Sequence, residues 1–502
     1  MIRFPLLYWI LVFVLFQSSC ALTPDYERPD VAMPDRWEQE RDTSKSIANL
    51  KWWKIFKNET LTSLIEIALE ENQDLAVAMA RMQETAYLVT FTRANQFPFL
   101  DIFGSAGRGR QSKEIVPFAT TENNFQIGAN LSFEIDLWRK YARGTEAARA
   151  DLLSSEAAYR SVTINLISLV ASNYLSLRDL DARLAISKRT AEGRRERLII
   201  VAARFKEGTV PEIDVNQAEV QLAIAEASVA QFQRLAMQSE HALQVLLGRY
   251  AGPIPRGEPI ELEDWSIEVP VGLPSDLLER RPDIIEAEQT LIAETARVGV
   301  SQAMRFPALS LTAQVSAVAE SLTDLNSTDA GQWNILAGIV QPLFNSGQLK
   351  AQMKAQRSRS EQAQYRYIGV LQQAFQEVED SLIAITTFRD EHAARQRQVV
   401  AANNATRLSQ ARYDGGIVDY LEVIDSERTS FDAALVESSS RRDALTAYVI
   451  LYKVLGGGWS EDSDSQEADE KSTSDSPPET GSDATATEKS PEPDQNSTPE
   501  SN

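Results

Sequence analysis

The chain has 502 residues, 43% of them hydrophobic, and a formal charge of −22. It can bury a large core, and nothing in its charge favours a polyanionic partner, since nucleic-acid binding relies on clustered Lys and Arg. Two histidines, His241 and His392, and one cysteine, Cys20, are too few and too scattered for a zinc site or a Cys-His nucleophile. No Gly-x-Ser-x-Gly elbow or phosphate-cradling glycine loop occurs. Neither an enzyme nor a cofactor is expected.

Residues 1–19 carry Arg3 and then an uncharged run from Phe4 to Phe16. That run is too short to span a bilayer but suits a signal-peptide core. Cys20 follows directly, where a bacterial lipoprotein is cleaved and acylated, so Cys20 is the expected lipidation site. Gln17 stands where the usual lipobox has Leu. Residues 20–60 read as an extended segment after this cysteine.

From there the chain says everything twice. Residues 203–219, ARFKEGTVPEIDVNQAE, return 208 positions later as 411–427, ARYDGGIVDYLEVIDSE. Outward from this motif, Leu137-Trp138 matches Leu343-Phe344 at a shift of 206, and Phe97-Pro98 matches Phe306-Pro307 at 209. The expected division is a first repeat over 61–250, a Pro- and Gly-rich linker over 251–273 and a second repeat over 274–459. Residues 460–502, with 13 acidic and 2 basic side chains and no large apolar ones, read as a disordered tail.

Each repeat opens with a helical stretch (61–95; 274–305), expected to be continuous. Two alternating segments follow, then a very long helical stretch (138–206; 344–413) and a last one (210–248; 418–456). In the first long stretch, Leu166, Val170, Asn173, Leu177, Leu180 and Leu184 mark a heptad seam. Gly208 and Gly415-Gly416 end the long helices. The two shorter stretches of each repeat, laid end to end, match the long one in length. The repeated motif is then the turn at the bottom.

The alternating segments are strand-like. Phe125, Ile127, Ala129, Leu131 and Phe133 alternate with Gln126, Gly128, Asn130 and Ser132, a period of two. Weaker versions occupy 308–318 and 333–340, and the weakest 99–110. Four such strands in an exported chain fit a transmembrane barrel, with Phe125, Ile127, Leu131 and Phe133 facing lipid. Four strands leave open edges that lipid does not tolerate, so several protomers must pool theirs, above a tube made of the long helices.

Residues 20–459 resemble the TolC-like outer membrane efflux proteins in their lipoprotein (OprM/NodT-like) branch. The likeness rests on CALTPDYERPDVAMPDRW, LKWWKIFKNETLTSLIEIALEENQDLAVAMARMQETA, LPSDLLERRPDIIEAEQTLIAETARVG, QPLFNSGQLKAQ and ARYDGGIVDYLEVIDSERT. The resemblance implies a membrane α+β duct: a homotrimer with a shared twelve-stranded β-barrel and a periplasmic α-barrel, in the outer membrane of a Gram-negative bacterium. It also implies a periplasmic adaptor and an inner-membrane pump, of the RND type, as partners. Aligning Tyr413–Gly416 with the family's Tyr-x-x-Gly puts Glu422 and Asp425 on two ring aspartates of the periplasmic aperture, with Tyr413 in its latch. Stacked carboxylates there would favour cations. A type I protein-secretion duct, and a periplasmic adaptor that would lack both strands and duplication, are the alternatives.

Overall fold

The computed structural model describes residues 24–31, 34, 37, 58–112, 114–257, 259–260 and 277–457. The signal segment, Cys20, most of the linker and the acidic tail lie outside the described residues.

The first repeat runs α1 (Glu59–Glu71), α2 (Gln73–Ala94), β1 (Phe99–Gly109), β2 (Glu122–Ile135), α3 (Lys140–Lys206) and α4 (Glu212–Leu246). The second runs α5 (Leu277–Arg280), α6 (Pro282–Ala303), β3 (Ala308–Ala319), β4 (Gly331–Val340), α7 (Gln348–Asp414) and α8 (Tyr420–Val454). Both long helices have 67 residues, which is about 100 Å at ~1.5 Å per residue. No helix among the described residues is long and apolar enough to cross a membrane.

The opening stretch of each repeat is broken, against the expectation of one continuous helix. Asn72 is extended and its side chain accepts from Leu75 N at 3.0 Å, ending α1 and capping α2. Pro282 begins α6 and pushes Arg281 to φ −73°, ψ 118°, so α5 and α6 are separate. Each break receives the end of a rising helix. Asn72 Nδ2 donates to Leu246 O, and Arg281 Nη1 donates to Val454 O, both at 2.9 Å. Gly248, at φ +70°, lies so close that a Cβ would sit 2.1 Å from Glu71 O. The joint between the shorter helices therefore falls at Asn72: α2 alone continues from α4, while α1 packs beside α3 through Leu61, Leu64, Ile65 and Ala68.

The heptad seam is covered only in part, Asn173, Leu180 and Leu184 being half-buried, and it is too narrow. Leu166, Val170 and Leu177 are buried, and so are Ile164, Ile167, Ala171, Tyr174 and Leu175. Along its length α3 packs against α1, α2, α4, α6 and α8, so more than one stripe is covered. The repeats are also tied by Asp179, fully buried, which accepts from Ser438 Oγ at 2.6 Å, Arg183 Nε at 3.0 Å and Arg442 Nη1 at 3.2 Å. In lateral order the helices run α2-α3-α6-α7 near the sheet and α4-α3-α8-α7 toward the turns. One antiparallel sheet, β1-β2-β3-β4, joins the repeats through β2–β3.

Candidate functional site

The sheet's register sorts its residues onto two unlike faces. Leu131 lies opposite Leu100 and Ala313, and Ala313 opposite Ile335. Continuing in steps of two, this face carries Ile102, Phe125, Ile127, Ala129, Phe133, Ile135, Leu309, Leu311, Val315, Trp333 and Ile339. The other face carries Gln126, Asn130, Ser132, Thr312, Gln314, Ser316, Gln332 and Asn334, interrupted by Phe99, Phe103, Val318, Leu336 and Val340. Side chains there bond across strands, Gln332 Nε2 to Ser316 Oγ at 3.0 Å and Asn334 Nδ2 to Gln314 Oε1 at 3.4 Å. All four sequence-selected residues, Phe125, Ile127, Leu131 and Phe133, share the apolar face. From Ile135 to Phe125 that face extends about 34 Å along the strand at ~3.4 Å per residue, or ~26 Å once tilted about 40°. This is the height of a barrel's lipid band.

Aromatic residues gather where strands meet helices. Trp138 stacks on Phe306 with centroids 4.9 Å apart and donates Nε1–H to Pro307 O at 2.7 Å. Phe97 and Phe344 are exposed at the same level, an interfacial girdle in composition. Just below, the Pro-Asp-Tyr-x-Arg-Pro stretch lies against α3 and α6. Asp25 pairs with Arg143, three residues into α3. Tyr26 OH donates to Glu288 Oε1 at 2.8 Å, and Arg28 clasps both Glu288 oxygens at 2.7 and 2.9 Å. Arg143 holds the Asp25 carboxyl below its usual range. Sequence reasoning saw this motif as a resemblance only, since Glu288 lies 260 residues from Arg28.

The repeated motif forms two matched turns. Thr209 N bonds Arg204 O at 3.0 Å past Gly208 (φ +71°), and Ile417 N bonds Arg412 O at 2.9 Å past Gly416 (φ +70°). Both are six-to-one helix stops built on glycine. The turns pack on each other through Val201, Ala218, Tyr420, Val423 and Ile424. Arg204 sits 5.4 Å over the Tyr413 ring and bonds Asp414 at 3.0 Å. Arg197 meets Glu427 at 2.9 Å. Burial pushes Tyr420 up to about 12 and raises Glu427, while the Gln410 amide and then Arg204 hold Asp414 below its ordinary value. Among the described residues the buried Tyr413 hydroxyl meets no partner in hydrogen-bond geometry.

Glu422 and Asp425 line one groove between α7 and α8, with Ser409, Ser426 and Thr429. Neither is a bare carboxylate. Arg412 reaches Glu422 at 2.8 Å, and Arg428 reaches Asp425 at 2.7 Å. Sequence reasoning singled out the acids and passed over these cations, although Arg412 belongs to the repeated motif and Arg428 stands at i+3 from Asp425, where helix neighbours meet. Among the described residues no group of His, Cys, Asp and Glu could hold a metal ion.

An apolar sheet face of bilayer height above paired helical hairpins defines a membrane duct of mixed β and α construction. The family model described as outer membrane efflux protein matches residues 64–249 and again 273–457. The chain belongs to this family, whose members are channels of tripartite efflux systems in the outer membrane. The cation efflux system protein CusC of Escherichia coli O157:H7 is 31% identical over 447 residues, covering 88% of this chain and 96% of that one. The antibiotic efflux pump outer membrane protein ArpC of Pseudomonas putida is 34% identical over 454 residues, covering 88% and 94%. The solved outer-membrane channel OprN superposes with a TM-score of 0.82 at 27% identity, over 88% of this chain and all of that one.

Proposed function

We propose that three copies of this chain pool their sheets into one twelve-stranded barrel and conduct small molecules outward through a continuous lumen. The observation that carries this is the sheet itself. Its apolar face matches a lipid band, yet β1 and β4 are open edges, and lipid does not tolerate open edges. Phe125, Ile127, Leu131 and Phe133 then face lipid, and the Gln126–Ser132 face lines the lumen. Such a duct supplies no energy, so a periplasmic adaptor and an inner-membrane pump of the RND type load it.

Lipid on Cys20 fits the course of the arm. Asp25 is held beside Arg143, close under the sheet. Five residues span at most about 17 Å, so an acyl group on Cys20 would tether Asp25 within that distance of the inner leaflet.

At the other end, the turns close the mouth. Glu422 and Asp425 from three copies form two carboxylate rings whose fields Arg412 and Arg428 reduce but do not cancel at the axis. The buried Tyr413 hydroxyl finds its partner across a protomer boundary, and the adaptor opens the mouth by binding the splayed state better. Planar-bilayer recording on the purified trimer tests the reading. Discrete cation-preferring steps are expected; a trimer that never conducts, even with Tyr413→Phe, would contradict it.

A further inference from the structure

We infer that neighbouring protomers join in one defined register, β4 of one against β1 of the next, with Ile335 opposite Ala106 of the partner subunit and Phe344 stacked on Phe97 of the partner subunit. The inference rests on the pooled-barrel reading and adds which atoms meet. Its basis is the duplication. A chain made of two like units already contains one unit-to-unit junction, β2–β3 above α3–α6. In a closed ring of six units the junction between chains repeats that one.

The template junction is fully described. Trp138 of the first unit stacks on Phe306 of the second, and β2 pairs with β3 so that Ala129 lies opposite Val315, Asn130 opposite Gln314 and Phe133 opposite Leu311. Leu343-Phe344 stands 206 residues after Leu137-Trp138, and Phe306-Pro307 stands 209 after Phe97-Pro98. Moving β2 forward by the first shift and β3 back by the second carries these pairs to Ile335 and Ala106, Leu336 and Ser105, and Ile339 and Ile102. The same operation carries Trp138 and Phe306 to Phe344 and Phe97.

Exposure agrees with an absent neighbour. In the single protomer Phe344 is 88% and Phe97 53% exposed. On the helix below, Tyr87 is 75% exposed while Ala296, its counterpart 209 residues on, is 2% exposed.

Two features that the mapping did not use support the register. It keeps faces matched: Ile335 and Ile339 lie on the apolar face of β4, as Ala106 and Ile102 do on β1, whereas a slip of one residue would invert every side chain. It also matches sizes. Gly338 falls opposite Phe103 of the partner subunit, an aromatic covering a glycine. A slip of two residues would set Phe103 against Leu336 or Val340 and leave Gly338 facing Ser105 or Asp101.

Paired cysteines in the full-length protein test this. Directly opposed antiparallel residues have Cα atoms about 4.5–5.5 Å apart, within disulfide reach, while partners two residues off lie at ~7–8 Å. The variants are Ile335→Cys with Ala106→Cys, Leu336→Cys with Ser105→Cys, and the offset pairs Ile335→Cys with Gly104→Cys or with Arg108→Cys. The wild-type chain controls for Cys20. Native mass confirms three chains before oxidation, and a denaturing gel then counts linked chains. At least one in-register pair should link about tenfold more than either offset pair, since adjacent rungs alternate in geometry. Offset pairs linking better, or no linkage in an intact trimer, would overturn the register while sparing the pooled barrel. In-register variants that all remain monomeric, with a wild-type chain that is also monomeric, would overturn both.

Discussion

Placing an arginine at Leu131 separates the membrane reading from every soluble alternative. Leu131 lies on the apolar face between Leu100 and Ala313, four residues from Ile135 and six from Phe125, hence near the middle of the band. An Arg facing lipid at that depth costs about 2–4 kcal/mol per copy, falling to ~0–1 near the interface. Three copies make about 6–12 kcal/mol per trimer, comparable with the whole stability of a domain. Ser132→Arg changes the next residue, on the opposite face between Phe99 and Thr312, and should cost far less because the lumen is wet. Phe125→Arg, at the end of the band, should fall between. The assay is the fraction of heat-stable trimer recovered from outer membranes as temperature rises. Equal loss for Leu131→Arg and Ser132→Arg would refute the assignment of faces. So would Phe125→Arg proving as harmful as Leu131→Arg.

Mass spectrometry of the mature chain should find Cys20 at the N-terminus bearing acyl chains; a free Cys20 thiol would contradict this. At the mouth, Glu422→Ala with Asp425→Ala should lower cation selectivity, whereas Arg412→Ala with Arg428→Ala should raise it; bilayer reversal potentials moving the same way for both would deny the rings. Asp179→Ala strips Ser438, Arg183 and Arg442 of a shared buried acceptor. Because side chains of the two arginines are 20% and 28% exposed, the loss should be about 2–3 kcal/mol, below the ~3–5 of a fully buried pair, read as a lower urea midpoint. Gly128→Val puts a Cβ 2.5 Å from Ser316 Cβ and Val315 O and should unzip β2 from β3, seen as a loss of folded protein in the membrane fraction.

What was legible in the sequence followed from periodicity. Period two marked four strands and sorted Ile127 and Leu131 from Gln126 and Ser132 before any register was known, because alternation needs no knowledge of the neighbouring strand. The glycine stops at Gly208 and Gly416 were legible for a similar reason, since a positive φ is a local demand. Contacts made at a distance were not. The clasp of Glu288 by Arg28, the acceptor role of Asp179 and the close approach of Gly248 to Glu71 join segments that no window along the chain brings together. Pro282 did announce its break, but amphipathic pattern ran across it. At Asn72 the signal was weaker, an N-cap residue inside an apparently continuous helix. The cations beside Glu422 and Asp425 were readable at i+3 and within the motif, yet reading by resemblance drew attention to the acids alone.

Electron cryomicroscopy of the purified protein in lipid nanodiscs tests the central claim most directly. The account predicts threefold symmetry, twelve strands closing inside the disc with the Phe125–Phe133 face against lipid, and all long helices outside on one side. Helices within the disc, or a sheet lying outside it, would contradict it.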